Sequence, residues 1–152
     1  MTSSQPRFAP GTDTASVEPA LAPLLTAAGG RWVLAADGEA LEREFKFKTF
    51  AKTWDFMTAV SLQCKLKSHH PEWSNVFNTT FIRWTTHQPK GLSAKDVELA
   101  AVCDSLAADF GEVVEQQQEQ QQLQQEQPVA CTLSGLANRA AGSAGDCCVP
   151  KK

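Results

Sequence analysis

The strongest constraint on the fold is a short alternation near the middle of the chain. Leu41, Arg43, Phe45 and Phe47 alternate with Glu42, Glu44, Lys46 and Lys48. Strand side chains point to opposite faces with a period of two, so these residues predict a strand with one buried and one solvated face. Arg43 is the single charge on the otherwise apolar row. Half-buried strands belong to antiparallel sheets, in which one face is covered and the other meets water.

The flanking segments supply the cover. Thr49 can cap a helix in which Phe50, Trp54, Met57, Val60 and Cys64 recur at spacings of four, three, three and four. That stripe predicts a helix packed on the core, and it must end before Pro71. From Ser74 to Thr86 the β-branched and aromatic content suits one long strand, or two meeting near Asn78-Thr79. Pro89-Lys90-Gly91 closes that region. Ser93-Ala94-Lys95-Asp96 is a capping box opening a helix through Val97, Ala100, Ala101, Leu106 and Phe110 to Gly111. Upstream, Leu21, Leu24 and Leu25 suggest a short helix stopped by Gly29-Gly30. Arg31 to Leu34 reads as a strand and Asp37-Gly38 as a turn. The order helix, two strands, helix, two strands, helix predicts an α+β domain: two layers, a four-stranded antiparallel sheet with helices on one face.

The ends differ from this middle. Residues 1–20 are rich in Ser, Thr, Pro and Ala without periodicity, and are expected to be disordered or loosely attached. Residues 116–127 are glutamines and glutamates with one leucine, and 128–152 are small and polar, so 115–152 is expected to be a flexible tail. The domain is therefore expected at 21–114, where ten Lys/Arg stand against eleven Asp/Glu. With a net charge of −3 for the whole chain, direct nucleic-acid binding through many phosphate contacts is not expected. A partner could still bind DNA on its behalf. No apolar run is long enough to span a membrane, and the first twenty residues lack the apolar region of a secretory signal. Five cysteines without a Cys-x-x-Cys pair suggest free thiols in a reducing, cytoplasmic setting. Cys147-Cys148 is followed by Val149-Pro150-Lys151-Lys152, which is not a prenylation box.

The residues that carry chemistry are the three histidines, His69, His70 and His87. His69-His70-Pro71-Glu72-Trp73 lies where the central helix meets the next strand, and His87 ends the following strand region. Element ends are where a scaffold presents side chains to a ligand. Imidazole moves protons near neutral pH, and Trp73 can wall a flat heterocycle or simply join the core. Two adjacent histidines can equally be polar surface. A metal site lacks a convergent set of ligands. Cys64 and Cys103 fall on stripes expected to be buried, where thiols are inert. Asp96 can cap its helix or orient a histidine.

The stretch Lys67-Ser68-His69-His70-Pro71-Glu72-Trp73-Ser74-Asn75-Val76-Phe77-Asn78 closely resembles the signature of the pterin-4a-carbinolamine dehydratases. A second block, Thr85-Thr86-His87-Gln88-Pro89-Lys90-Gly91-Leu92-Ser93-Ala94-Lys95-Asp96, follows at the expected separation. Upstream similarity lies in Phe45 to Phe50 and Phe56 to Val60. The resemblance implies dehydration of 4a-hydroxytetrahydropterin to quinonoid dihydropterin, which recycles the tetrahydropterin of aromatic amino acid hydroxylases. It implies no metal or organic cofactor, a small α+β fold, and homodimers or homotetramers. It also opens an alternative role as a dimerisation cofactor of a homeodomain transcription factor, and with it the nucleus. By similarity His69 and His87 are candidates for general acid and base, with His70 catalytic or holding the pterin. Trp73 and Asp96 are expected at the substrate. The sequence departs from the family in two places: Lys65 and Ser68 stand where many members carry acidic residues, and a lysine beside an imidazole disfavours its charged form.

Overall fold

The computed structural model describes residues 5–114. The glutamine tract, the remaining tail and Cys131, Cys147 and Cys148 lie outside the described residues. Six strands and three α-helices follow in chain order: α1 (Thr14–Leu21), β1 (Val33–Leu34), β2 (Leu41–Lys46), α2 (Phe50–Lys67), β3 (Glu72–Val76), β4 (Thr79–Trp84), β5 (Thr86–His87), β6 (Lys90–Gly91) and α3 (Ala94–Asp109). The main sheet is antiparallel with order β1-β2-β4-β3, and β5 and β6 form a separate two-stranded ribbon. The expected α+β class, with its four-stranded antiparallel sheet, is the observed one. No helix among the described residues is long and apolar enough to cross a membrane.

The alternation on β2 sets the layers. Leu41, Arg43 and Phe45 are buried, and Phe47 continues the row past the strand. Phe56 of α2 packs its ring 4.9 Å from both Phe45 and Phe47, and Trp32 meets Phe45 edge-on at 5.7 Å. Fully burying an aromatic or aliphatic side chain contributes about 1.5–3 kcal/mol, so this cluster fastens α2 to the sheet. Arg43 is tolerated in the row because its charge is matched. Its guanidinium lies over the Phe45 ring, pairs with Asp104 of α3, and bonds Glu112 at 2.5 Å. A buried charge without such partners costs several kcal/mol.

Two expectations are corrected. The inward face of α2 is Thr53, Phe56 and Val60, with Met57 and Cys64 half-buried. Phe50 and Trp54 are about half exposed and stack on each other at 5.7 Å. The first turns of α2 carry apolar side chains on two faces, so spacing alone does not say which face turns inward. Phe56, outside the expected stripe, is the residue the β2 aromatics select.

The second correction concerns residues 5–20, expected to be loose. Val17 and Leu21 of α1 are buried in the core, and Ala9 is buried as well. Ala9 N–H donates to Leu92 O at 2.8 Å and Leu92 N–H to Arg7 O at 2.9 Å, joining the N-terminal segment to the chain beyond β6. Backbone pairing of this kind leaves no side-chain periodicity to read. After α1 the expected opening helix is two 3-10 turns, Ala22–Leu24 and Thr26–Ala28. The second ends at Gly29 in the left-handed conformation.

Candidate active site

The end of α2 aims the first histidine. Lys65 and Lys67 sit in the last turn, where cations favour the negative end of the helix dipole. Ser68 then takes the left-handed conformation, φ 49°, and His69 N–H closes back on Cys64 O at 3.1 Å. The reversal brings the His69 ring onto the indole of Trp84 on β4, 5.7 Å between centroids and 18° from parallel. On its other side His69 Nε2 meets Asp96 Oδ1 of α3 at 2.6 Å.

Asp96 is fully buried and fully engaged. Its Oδ2 accepts from Thr86 Oγ1 at 2.7 Å, Ser93 N–H at 2.8 Å and Ser93 Oγ at 3.0 Å. The capping box at the start of α3 is therefore formed and, with its free oxygen, also grips a histidine. Both roles weighed for Asp96 are met at once. Substrate binding is not: with no exposed surface, its carboxylate stands behind His69.

The second half of the site is more open. His87 ends β5, and its side chain is 53% exposed. Its ring lies 5.8 Å from that of His70, tilted by 27°. His87 Nε2 is 2.8 Å from Glu72 Oε1, and Glu72 Oε2 accepts from Arg83 at 3.2 Å. His70 is exposed. Trp73 is half-buried against the core, on the face of β3 that Ile82 occupies in β4. That favours a packing role over a pocket wall. Lys65 is exposed, while Lys67 pairs with Glu98 at 2.5 Å. The two in-fold thiols are poor nucleophiles: burial pushes the Cys64 and Cys103 thiols up, Cys103 far beyond the ordinary thiol range.

His70 and His87 stack together, and His69 is joined to the same strand end through Asp96, which also bonds Thr86, the neighbour of His87. Against an ionised carboxylate, which can only accept, the nitrogen at each contact is the donor in the Nε2–H tautomer. Each ring keeps Nδ1 as the nitrogen that can take or give a proton. Among the described residues no group of three or more His, Cys, Asp or Glu side chains is arranged to hold a metal ion. The sequence reading gave no role to Glu72, Trp84 or Thr86. Glu72 and Thr86 adjoin the histidines in sequence, and Trp84 lies three residues before His87, but their partners become evident only once β3, β4 and α3 are assembled.

The sequence profile of the family described as pterin 4 alpha carbinolamine dehydratase matches residues 12–106, well over half of the chain. The chain belongs to this family. A relative from Novosphingobium aromaticivorans, provisionally named pterin-4-alpha-carbinolamine dehydratase, is 43% identical over 74 residues, covering 49% of this chain and 77% of its own. One of the same provisional name from Sinorhizobium fredii is 43% identical over 77 residues, covering 51% and 73%. Among solved structures, a transcriptional coactivator/pterin dehydratase from Brucella melitensis superposes with a TM-score of 0.52 at 27% identity. That match covers 66% of this chain and 99% of the other. The α+β fold described above is shared with that solved relative, and the family profile begins in the segment that carries α1, ahead of the expected boundary at residue 21.

Proposed function

We propose that this chain dehydrates 4a-hydroxytetrahydropterin to quinonoid dihydropterin, recycling the pterin of aromatic amino acid hydroxylases. The observation that carries this reading is that His69 and His87 are each backed by a carboxylate, with His70 stacked on His87. In the reaction the C4a–O bond breaks and the hydroxyl leaves as water after accepting a proton. The N5–H bond also breaks, its electrons forming the C4a–N5 double bond. One group must give a proton and another must take one. His69 and His87, each held at Nε2 by a carboxylate, suit the two tasks, and general acid–base catalysis of this kind contributes about 10²–10⁴-fold. His70, exposed and stacked beside His87, is the candidate to hold the pterin ring. Asp96 orients His69. The step uses side chains alone. The test is carbinolamine loss by stopped-flow absorbance for His69→Ala and His87→Ala beside the wild type. Each should lose at least about a hundredfold in rate with unchanged circular dichroism; wild-type turnover in either removes that residue from the mechanism.

A second reading, a protein-interaction module acting as a dimerisation cofactor, is favoured by the exposed Phe50, Trp54, Leu62 and Leu66 of α2. The description of the Brucella structure as a coactivator as well as a dehydratase supports it. The same apolar side chains suit a homodimer or homotetramer. Trp54→Asp, measured by sedimentation and by dehydration rate, separates the roles: association falls and chemistry persists if α2 is an interface.

A further inference from the structure

His87 is the most exposed member of the carboxylate-backed pairs, yet its partner is not a free surface carboxylate. Glu72 begins β3 directly opposite Arg83 of β4, which lies opposite Glu42 of β2. The three side chains form a row across three strands. Arg83 Nε donates to Glu42 Oε1 at 2.7 Å, and Arg83 Nη1 donates to Glu72 Oε2 at 3.2 Å. The other oxygen of Glu72 is left to His87 Nε2 at 2.8 Å. Glu72 and Arg83 are both largely enclosed, their side chains 15% and 13% exposed, so the row is shielded more than its last member. Cross-strand neighbours of opposite charge reinforce one another in this way.

We infer that Glu72 is the positioning residue of His87: held by Arg83 and through it by Glu42, it fixes the proton of the neutral ring on Nε2 and leaves Nδ1 as the nitrogen without one. Arg83 gives the arrangement its polarity. It is a donor only, so whatever faces it from position 72 must be an acceptor. The inference rests on the dehydratase reading only for its effect on rate; the ring state of His87 is a separate observable.

Glu72→Gln tests it. The amide must turn its oxygen to Arg83 and so present N–H to His87. Nε2 then has to accept, and the proton moves to Nδ1. In ¹⁵N–¹H correlation spectra above the imidazole titration, wild-type His87 should show Nε2 protonated. The variant should shift population to the Nδ1–H form. In the dehydration assay kcat should fall about tenfold or more, the scale of losing a histidine's orienting partner, with KM changed far less. In a His87→Ala background the same substitution should cost nothing further, because its effect passes through that ring. An unchanged tautomer in Glu72→Gln overturns the inference, as does an equal loss of kcat with and without His87. If the wild type fails to accelerate dehydration, the functional reading falls alone, and the ring spectra still decide the role of Glu72.

Discussion

Asp96→Asn probes the site at its most enclosed point. Asp96 accepts four hydrogen bonds, three on Oδ2 and one, from His69, on Oδ1. Asparagine has the same shape but one oxygen. The three donors around Oδ2 claim it, so the amide nitrogen faces His69. Two donors cannot share one bond, and His69 must turn Nε2 into an acceptor by carrying its proton on Nδ1. The capping box survives, so helix stability is retained, whereas Asp96→Ala removes its N3 half, the acceptor for Ser93 N–H. The alanine leaves Ser93 N–H and His69 Nε2 without this acceptor, at about 1–3 kcal/mol each. That sum of roughly 2–6 kcal/mol approaches the whole stability of a small domain. The asparagine variant therefore isolates the chemistry. Its dehydration rate, followed by stopped-flow absorbance, should fall by about 10²–10⁴, the full contribution of one acid or base. Its thermal midpoint should move by only a few degrees. Wild-type kcat in a folded Asp96→Asn would show that His69 does not work through Nδ1.

Two further outcomes follow from the scaffold. Gly91 has φ +135°, and a Cβ there would come within 2.5 Å of Ala9 N. Gly91→Ala should strain the ribbon that carries His87, at about 1–3 kcal/mol for the backbone alone. The melting midpoint should drop by roughly 5–20 °C, and an unchanged midpoint would contradict the packing of residues 5–11 on that ribbon. Cys103, whose thiol burial pushes up, keeps its proton in the native state after the unfolded thiol has ionised. Its stabilising contribution is complete below about pH 8.5 and is lost as pH rises, by up to about 1.4 kcal/mol per unit. Urea titrations from pH 8 to 10 should show a steeper decline in the wild type than in Cys103→Ala; parallel slopes would refute the assignment.

The fold was legible where side-chain periodicity met a covered face. Leu41 to Lys48 encodes the two faces of β2, and Ser93 to Asp96 encodes the start of α3. It was illegible where the backbone itself makes the contact, as at Arg7 to Ala9 against Leu92. It was ambiguous where one helix carries apolar residues on two faces, as at Phe50 to Met57. The site shows the same division. The histidines stand out by residue type and by the blocks around them. Their partners are set by register and by helix docking: Glu72 reaches His87 from a strand fifteen residues earlier, and Asp96 reaches His69 across twenty-seven. A capping residue that also orients an imidazole looks, in sequence, like a capping residue.

The most direct measurement is the decay of freshly generated 4a-hydroxytetrahydropterin with and without the purified wild-type chain. Acceleration proportional to enzyme concentration and saturating with substrate is expected. A decay that follows the buffer rate at every protein concentration would contradict dehydratase function outright.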